Sequence, residues 1–255
     1  MSYSKCSYEP AGRTAPQDIR PHRTYDPTGT HFNTDGRHAM RYQTAIFDLD
    51  GTLLNTLDDL HASTNHALRA QGFPPRSRDE VRQFVGNGIY NLIRLAVPEG
   101  SDARCIDATY DLFNEHYAAH HLDQTGPYPG ITSVIDTIRS RGMSCCVVSN
   151  KGDYAVRPLV EHFFPGVFDV AVGEREGIRR KPAPDTVLAC MDKLQSPPDR
   201  CVYIGDSEVD VACAANAGID CIIVTWGFRD EDFLRTQGAT TFAHTADELE
   251  RLLCA

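Results

Sequence analysis

The sequence predicts an α/β protein with a doubly wound parallel sheet and an α-helical cap domain inserted after the first strand. Strand-like apolar runs alternate with helix-like patterns from about residue 127 to residue 224. The stretch from 57 to 123, by contrast, carries helix patterns and no strand pattern. Alternating strands and helices are typical of a parallel sheet with helices on both faces, because each crossover between parallel strands usually runs through a helix.

The elements before residue 127 are one strand and a set of helices. Residues 44–49 form a short β-rich run that ends at two aspartates. A helix pattern starts at Leu57 and stops at Gly72, a residue type that commonly follows the last helical turn. Ser77-Arg78-Asp79-Glu80 is a capping-box pattern and predicts the start of a second helix. A further helix begins near Ser101, so the whole block is expected to be helical.

The elements after residue 127 alternate regularly. A helix that starts at Ile131 ends at Gly142. Strands are then predicted at 143–148, 168–172, 201–205 and 221–224, with helices at about 153–163, 184–194 and 208–217. We therefore expect a core made of residues 41–57 and 127–255, and a helical cap made of residues 58–126.

Residues 1–40 differ in composition from the rest of the chain. They are rich in Pro, Thr, Gly, Arg and His and show no apolar periodicity. Such a segment buries too little apolar surface to offset the entropy lost on ordering. We predict a disordered tail, and Met40, just before the first strand, is an alternative start of the protein.

Composition and charge narrow the classes of function. The formal net charge is -10, which argues against a general nucleic-acid surface. No apolar run approaches the roughly 18 residues that a membrane span requires. The nine cysteines are odd in number and lack CxxC spacing, which favours free thiols in a reducing compartment. We expect a cytoplasmic protein, a monomer or homodimer, with neither nucleic acid nor membrane as its partner.

Polar residues follow four of the predicted strands or their loops. Ligands of open α/β sheets bind beyond the carboxyl ends of the strands, so these side chains are expected to share one rim. They are Asp48 and Asp50, then Ser149, Asn150 and Lys151, then Lys181, and finally Asp206 with Asp210 one helical turn later.

This set of residue types indicates phosphoryl chemistry. The carboxylates of Asp48, Asp50 and Asp206 repel one another unless a hard cation lies among them, and oxygen ligands suit Mg²⁺. The Ser149 hydroxyl and the Lys181 ammonium suit phosphate oxygens. Phosphoryl transfer needs mainly positioning and charge stabilisation, which a metal and a lysine supply. One aspartate can act as nucleophile and another as general acid and base. Alone, the pair of aspartates could equally be a solvated turn.

Four motifs in this order resemble those of the haloacid dehalogenase-like hydrolases. They are DLDGT at 48–52, SNK at 149–151, Lys181 followed by Pro, and GDSEVD at 205–210, and the resemblance covers about residues 41–255. It implies the parallel α/β core and the cap. It also implies Mg²⁺ as cofactor.

The same resemblance implies a role for each motif residue. Asp48 is then the nucleophile and a metal ligand, and Asp50 is the general acid and base with its backbone carbonyl on Mg²⁺. Asp206 supplies a further carboxylate ligand. Ser149 and Lys181 hold the phosphoryl oxygens, and Asp210 orients Lys181 or a metal-bound water.

Within the family the chain resembles the phosphoglycolate phosphatase-type branch. The supporting segments are FVGNGI at 84–89, YPGI at 128–131, SNK, and VTWGFRD at 224–230. The resemblance implies a Mg²⁺-dependent phosphatase that hydrolyses a small phosphorylated metabolite, phosphoglycolate first, through an aspartyl-phosphate. Asn87 and Asn150 are expected near the substrate, and Lys151 is expected either there or in solvent. A phosphosugar mutase and a non-catalytic phosphate-binding protein remain alternatives.

Overall fold

Strand β1, Thr44–Phe47, is fully buried and forms the centre of the sheet. It has two parallel neighbours, because Ile46 pairs with Cys146 on one side and with Tyr203 on the other. The computed structural model describes residues 40–255. The predicted disordered tail lies outside the described residues, apart from Met40.

The strands after the helical block are β4 (Ser144–Gly152), β5 (Val170–Glu174), β6 (Cys201–Gly205), β7 (Asp220–Val224) and β8 (Phe242–Ala243). Within the described residues they form, with β1, a sheet of six strands, all parallel, in the order β5-β4-β1-β6-β7-β8. The predicted α/β fold with a parallel sheet is confirmed.

Helices cover both faces of the sheet. Successive residues of a strand point to opposite faces, so Ala45 and Phe47 join one apolar cluster while Ile46 joins the other. The first cluster contains residues of α5 (Ile131–Ser140), α6 (Asp153–Phe163) and α10 (Ala246–Cys254). The second contains residues of α7 (Asp185–Leu194) and α8 (Glu208–Ala217), and α9 (Glu231–Thr236) packs beside it.

Four helices lie between the first strand and the rest of the sheet, and we call them the cap. The capping box predicted at Ser77 forms, since the Ser77 hydroxyl accepts from the Glu80 N–H and the Glu80 carboxylate accepts from the Ser77 N–H. The cap has an apolar core of its own. Its helices are α1 (Leu57–Ala70), α2 (Arg78–Phe84), α3 (Ile89–Ala96) and α4 (Ala103–His120).

A short antiparallel strand pair joins the two linkers between cap and core. It consists of β2, Leu54–Asn55, and β3, Gly126–Pro127. Next to it, the buried carboxylate of Asp59 accepts hydrogen bonds from the backbone N–H groups of Gln124 and Thr125. The start of the first cap helix is therefore fixed to the returning chain. The sequence patterns do not predict this pair, because two-residue strands carry no periodicity.

Two further differences from the predicted elements concern the sheet and the chain end. Strand β4 continues to Gly152, past the predicted end at 148, with a shift in register after Val148. Ser149, Asn150 and Lys151 are therefore part of strand β4, just before its last residue. The elements after 224 were also not predicted. Among residues 40–255, no helix is both long enough and apolar enough to cross a membrane.

Candidate active site

Asp48 and Asp50 lie on the turn that follows β1 at the carboxyl edge of the sheet. The Asp48 N–H donates to the carbonyl of Ile204 in the neighbouring strand β6, at 2.9 Å. This bond holds the turn against the strand that leads to Asp206. Gly51 has a φ of +89°, a conformation that glycine adopts without steric cost. A Cβ atom at this position would lie 2.3 Å from an Asp206 carboxylate oxygen, so the turn can approach Asp206 only with glycine here.

Lys181 connects Asp48 to Asp210. Its buried ammonium lies 2.9 Å from Asp48 Oδ1 and 2.7 Å from Asp210 Oδ1, and it donates to the Tyr203 hydroxyl at 2.9 Å. Burial opposes the positive charge, but the carboxylates of Asp210 and Asp48 outweigh it and raise the pKa of Lys181. The lysine is therefore a fixed cation beside Asp48.

The Asp210 carboxylate accepts four hydrogen bonds. Its Oδ1 accepts from Lys181, and its Oδ2 accepts from the backbone N–H groups of Asp206 and Ser207 and from the Ser207 hydroxyl, at 2.6 to 3.2 Å. These bonds close the first turn of α8. Asp210 therefore orients Lys181 and the start of the helix and has little capacity left for a metal.

Asp206 is held from two sides but keeps free acceptor capacity. Thr52 Oγ1 donates to its Oδ1 at 3.2 Å, and the Phe228 N–H donates to its Oδ2 at 2.7 Å. Each oxygen thus accepts one bond, which leaves lone pairs for a cation.

The electrostatics of the cluster favour a cation. The carboxylates of Asp48, Asp206 and Asp210 are buried, and one oxygen from each lies within 4.8 Å of the others. Burial raises the pKa of Asp48 to about 6, against the effect of Lys181. Burial and the neighbouring Asp210 and Asp48 hold the pKa of Asp206 well above its usual range. Carboxylate oxygens with free lone pairs are the ligands that Mg²⁺ prefers, so Asp48 and Asp206 fit this metal.

Asp50 is paired with Lys151. The buried Lys151 ammonium lies 3.1 and 3.2 Å from the two Asp50 oxygens. It also lies 4.7 Å from the centre of the Tyr117 ring, which belongs to cap helix α4. Of the two positions expected for Lys151, solvent is wrong, because the lysine is 4 % exposed and faces the cavity.

Ser149 and Asn150 lie on the last part of β4 and line the same cavity. Asn150 Nδ2 donates to the carbonyl of Gly86 in the cap at 3.0 Å and to the carbonyl of Lys181 at 3.1 Å. Its Oδ1 is buried and has no hydrogen-bond partner within residues 40–255. Asn150 therefore joins the cap loop to the lysine loop and leaves one acceptor for a ligand.

The cavity lies between the sheet edge and the cap. The cavity volume is about 30 Å³. Gly86 and Gly88 line it, whereas the half-buried Asn87 between them does not. Its walls are completed by Leu60, Val85, Ile89 and Leu92 of the cap and by Ser207, Phe228 and Arg229 of the core.

Comparison with known proteins identifies the family. A family model described as haloacid dehalogenase-like hydrolase matches residues 45–224. The chain belongs to this family. A phosphoglycolate phosphatase of Agrobacterium fabrum is 34% identical over 195 residues, which cover 73% of this chain and 82% of that protein. One of Cereibacter sphaeroides is 34% identical over 212 residues, which cover 82% and 96%. The family and these relatives support a phosphoric monoester hydrolase.

A solved structure agrees with this assignment. A protein of Lactobacillus delbrueckii subsp. bulgaricus, described as a candidate phosphoglycolate phosphatase, superposes with a TM-score of 0.80. It is 39% identical, and the match covers 85% of this chain and all of that one. The haloacid dehalogenase-like hydrolase fold thus includes the helical cap of this chain.

Several residues of the site were not singled out from the sequence. Tyr203, Thr52, Phe228 and Arg229 contact the carboxylates, the lysine or the cap. Tyr203 could have been found, since a hydroxyl in the middle of the apolar run 201–205 requires a buried partner. Thr52 acts through its hydroxyl on Asp206, Phe228 acts through its backbone N–H, and Arg229 acts across the cap interface. Each contact joins residues far apart in the chain, so local sequence carries no signal for it.

Proposed function

We propose that the protein is a Mg²⁺-dependent phosphatase that hydrolyses a small phosphomonoester, phosphoglycolate first, through an aspartyl-phosphate on Asp48. The observation that carries the proposal is the position of Asp48, which lies beside the buried Lys181 cation and opposite Asp206 in a small cavity under the cap. A carboxylate nucleophile next to fixed positive charge is the arrangement that phosphoryl transfer requires.

In the first step an Asp48 oxygen attacks phosphorus, and the bond from phosphorus to the ester oxygen breaks. Asp50 donates a proton to the departing oxygen, which leaves as an alcohol. Lys181 and the Ser149 hydroxyl stabilise the equatorial phosphoryl oxygens. The Lys151 ammonium keeps the Asp50 carboxyl fixed while its proton is transferred.

In the second step water attacks the phosphorus of the aspartyl-phosphate. Asp50, now a carboxylate, takes a proton from that water, and the Asp48–phosphorus bond breaks. Inorganic phosphate and the original Asp48 carboxylate result. The same residue serves as acid and then as base, so the cycle returns both aspartates to their starting state.

Asp48, Asp206 and the backbone carbonyl of Asp50 are the proposed metal ligands. Bound Mg²⁺ would supply positive charge that offsets the carboxylates and the transferring phosphoryl group. Asp210 is not assigned as a ligand, because its oxygens already accept from Lys181 and from donors of Asp206 and Ser207.

The size and lining of the cavity support a small substrate. A narrow space closed by the cap excludes a phosphoprotein or nucleic acid more readily than a metabolite. Lys151 and Arg229 also line it, but Lys151 is paired with Asp50, and Arg229 is paired with Glu208 and the cap, so neither cation is free to select a leaving group. The names of the curated relatives also point to a small substrate.

The eight cysteines among residues 40–255 are all free thiols. Cytoplasmic location is part of the proposal, since thiols stay reduced there.

The test is phosphate release by the purified protein with Mg²⁺ or EDTA, across phosphoglycolate, sugar phosphates and pyrophosphate. We expect Mg²⁺-dependent release that is fastest with phosphoglycolate and absent in Asp48→Asn. Isomerisation of a sugar phosphate without release of phosphate would support the mutase alternative. Binding of esters with neither reaction would support the non-catalytic alternative.

A further inference from the structure

The segment 227–230, which follows β7, joins the cap to the carboxylate of Asp206. Its residue Phe228 is 4 % exposed, and its side chain belongs to the apolar cluster of the cap. All other buried members of that cluster lie between Leu57 and Tyr117, on the cap itself. A residue of the α/β core thus completes the cap's hydrophobic core.

The backbone of Phe228 connects the same two parts. Its N–H donates to Asp206 Oδ2 at 2.7 Å, and its carbonyl accepts from Arg82 Nη1 of cap helix α2 at 2.9 Å. Gly227 packs so closely that a Cβ atom there would lie 2.2 Å from Asp206 Cβ. The backbone of this one residue therefore contacts a catalytic-site carboxylate through its N–H and a cap helix through its carbonyl.

Arg229 makes the reciprocal contact. Its Nη1 donates to the carbonyl of Arg82 at 3.1 Å and its Nη2 to the carbonyl of Val85 at 2.7 Å, while Glu208 Oε2 accepts from its Nε at 2.9 Å. The last carbonyls of a helix lack partners within the helix and carry partial negative charge, so a guanidinium fits this end. Two arginines, one on each side of the interface, thus hold the end of α2 against residues 228–229.

We propose that residues 227–230 form a latch that couples closure of the cap to the orientation of Asp206, with Phe228 as the positioning residue. If the cap moves away, either Phe228 leaves the cap core or its N–H leaves Asp206. Both contacts are kept only in the closed state. The inference rests on the proposed function in one respect, namely that Asp206 binds the divalent cation.

The coupling has a consequence for cation binding. In the closed state the Phe228 N–H orients Asp206, so closure is proposed to raise the affinity for the cation. Coupling free energies are reciprocal, so the cation then favours closure by the same factor. Removing a residue that orients a metal ligand commonly weakens metal binding by about 10- to 100-fold. We expect a loss of this size when the latch is broken.

The experiment measures hydrogen exchange of helix α2 with and without Mg²⁺, together with Mg²⁺ affinity by calorimetry. Helix α2 contains none of the proposed metal ligands, so slower exchange on addition of Mg²⁺ reports closure rather than direct contact. In wild type we expect Mg²⁺ to slow exchange in residues 78–84. Phe228→Ala and, as a milder change on the cap side, Arg82→Ala should abolish this protection and weaken Mg²⁺ binding.

A matched control removes a different contact between cap and core. Tyr154 in α6 donates to Asn114 Oδ1 in cap helix α4 at 3.1 Å and does not touch Asp206. Tyr154→Phe should keep both the Mg²⁺ affinity and the protection of α2. Measurable Mg²⁺ binding in wild type without protection of α2 would overturn the latch and leave the phosphatase proposal intact. Absence of Mg²⁺ binding would overturn both.

Discussion

Replacing Asp210 with asparagine removes one of two carboxylates that neutralise a buried lysine. Asp210 is completely buried, and its two oxygens accept four hydrogen bonds, from Lys181, from the N–H groups of Asp206 and Ser207 and from the Ser207 hydroxyl. An asparagine amide has one acceptor oxygen and two donor hydrogens. If the asparagine oxygen accepts from residues 206 and 207, its NH₂ group faces the Lys181 ammonium. Two hydrogen-bond donors then face each other with no acceptor between them.

The expected loss follows from the environment of Lys181. Breaking a buried ion pair by removing one partner costs about 3 to 5 kcal/mol, because it leaves an uncompensated charge. In the variant, Lys181 keeps its contacts with Asp48 and Tyr203, each at 2.9 Å, so we expect a cost at the lower end of this range. We predict that Asp210→Asn lowers the free energy of unfolding by about 3 kcal/mol. With a slope of about 3 kcal/mol per molar urea, the midpoint of unfolding falls by about 1 M.

The assay is urea unfolding followed by circular dichroism, with an exposed carboxylate as control. Asp220 pairs with Arg41 at 2.7 Å, but both side chains are largely exposed, so Asp220→Asn should cost under about 1 kcal/mol. Equal, small shifts for the two variants would show that Asp210 does not stabilise the buried charge of Lys181. Lys181 would then be held beside Asp48 by something other than Asp210.

Three further predictions concern the metal, the turn and the proton. Mg²⁺ at about 100-fold above its Kd should stabilise the wild-type protein by about 2.7 kcal/mol and raise its Tm. The Asp206→Asn variant should show no such rise, and an unchanged Tm in wild type would contradict the metal assignment. Gly51→Ala should reduce activity far more than Gly72→Ala, since both glycines have positive φ but only Gly51 abuts Asp206; equal effects would show that strain alone matters. Asp50→Asn should slow turnover least for esters whose leaving group departs readily without a proton. If the variant lowers the rate by the same factor for leaving groups of every pKa, Asp50 is not the general acid.

The fold was predictable where local patterns decide it. Strand β6 and helices α6 and α8 begin and end at the predicted residues. The buried strand and the amphipathic helix α6 differ in period, and α8 is bounded by the capping residue Ser207 and by Gly218. The two-residue strands β2 and β3 escaped prediction, since their pairing joins residues about 70 positions apart and leaves no local trace.

The sequence also predicts which residues of the site lie near one another. The strand-end rule predicts that Asp48, Lys181, Asp206 and Asp210 share one rim. In the structure Lys181 contacts Asp48 and Asp210, and one oxygen of each of the three carboxylates lies within 4.8 Å of the others. What a single sequence does not contain is which side of a strand faces a cavity after a shift in register. The sequence therefore does not decide whether Lys151 faces substrate or solvent, whereas the extended β4 buries it against Asp50.

The proposed mechanism requires that Asp48 becomes phosphorylated. The most direct measurement is a single turnover with phosphoglycolate and Mg²⁺, quenched in acid within milliseconds and analysed by mass spectrometry of the peptide that contains residues 44–54. We predict a transient peptide heavier by one phosphoryl group, sensitive to hydroxylamine as an acyl phosphate is, and absent in Asp48→Asn. Full release of phosphate by a protein that never carries this group on Asp48 would contradict the account.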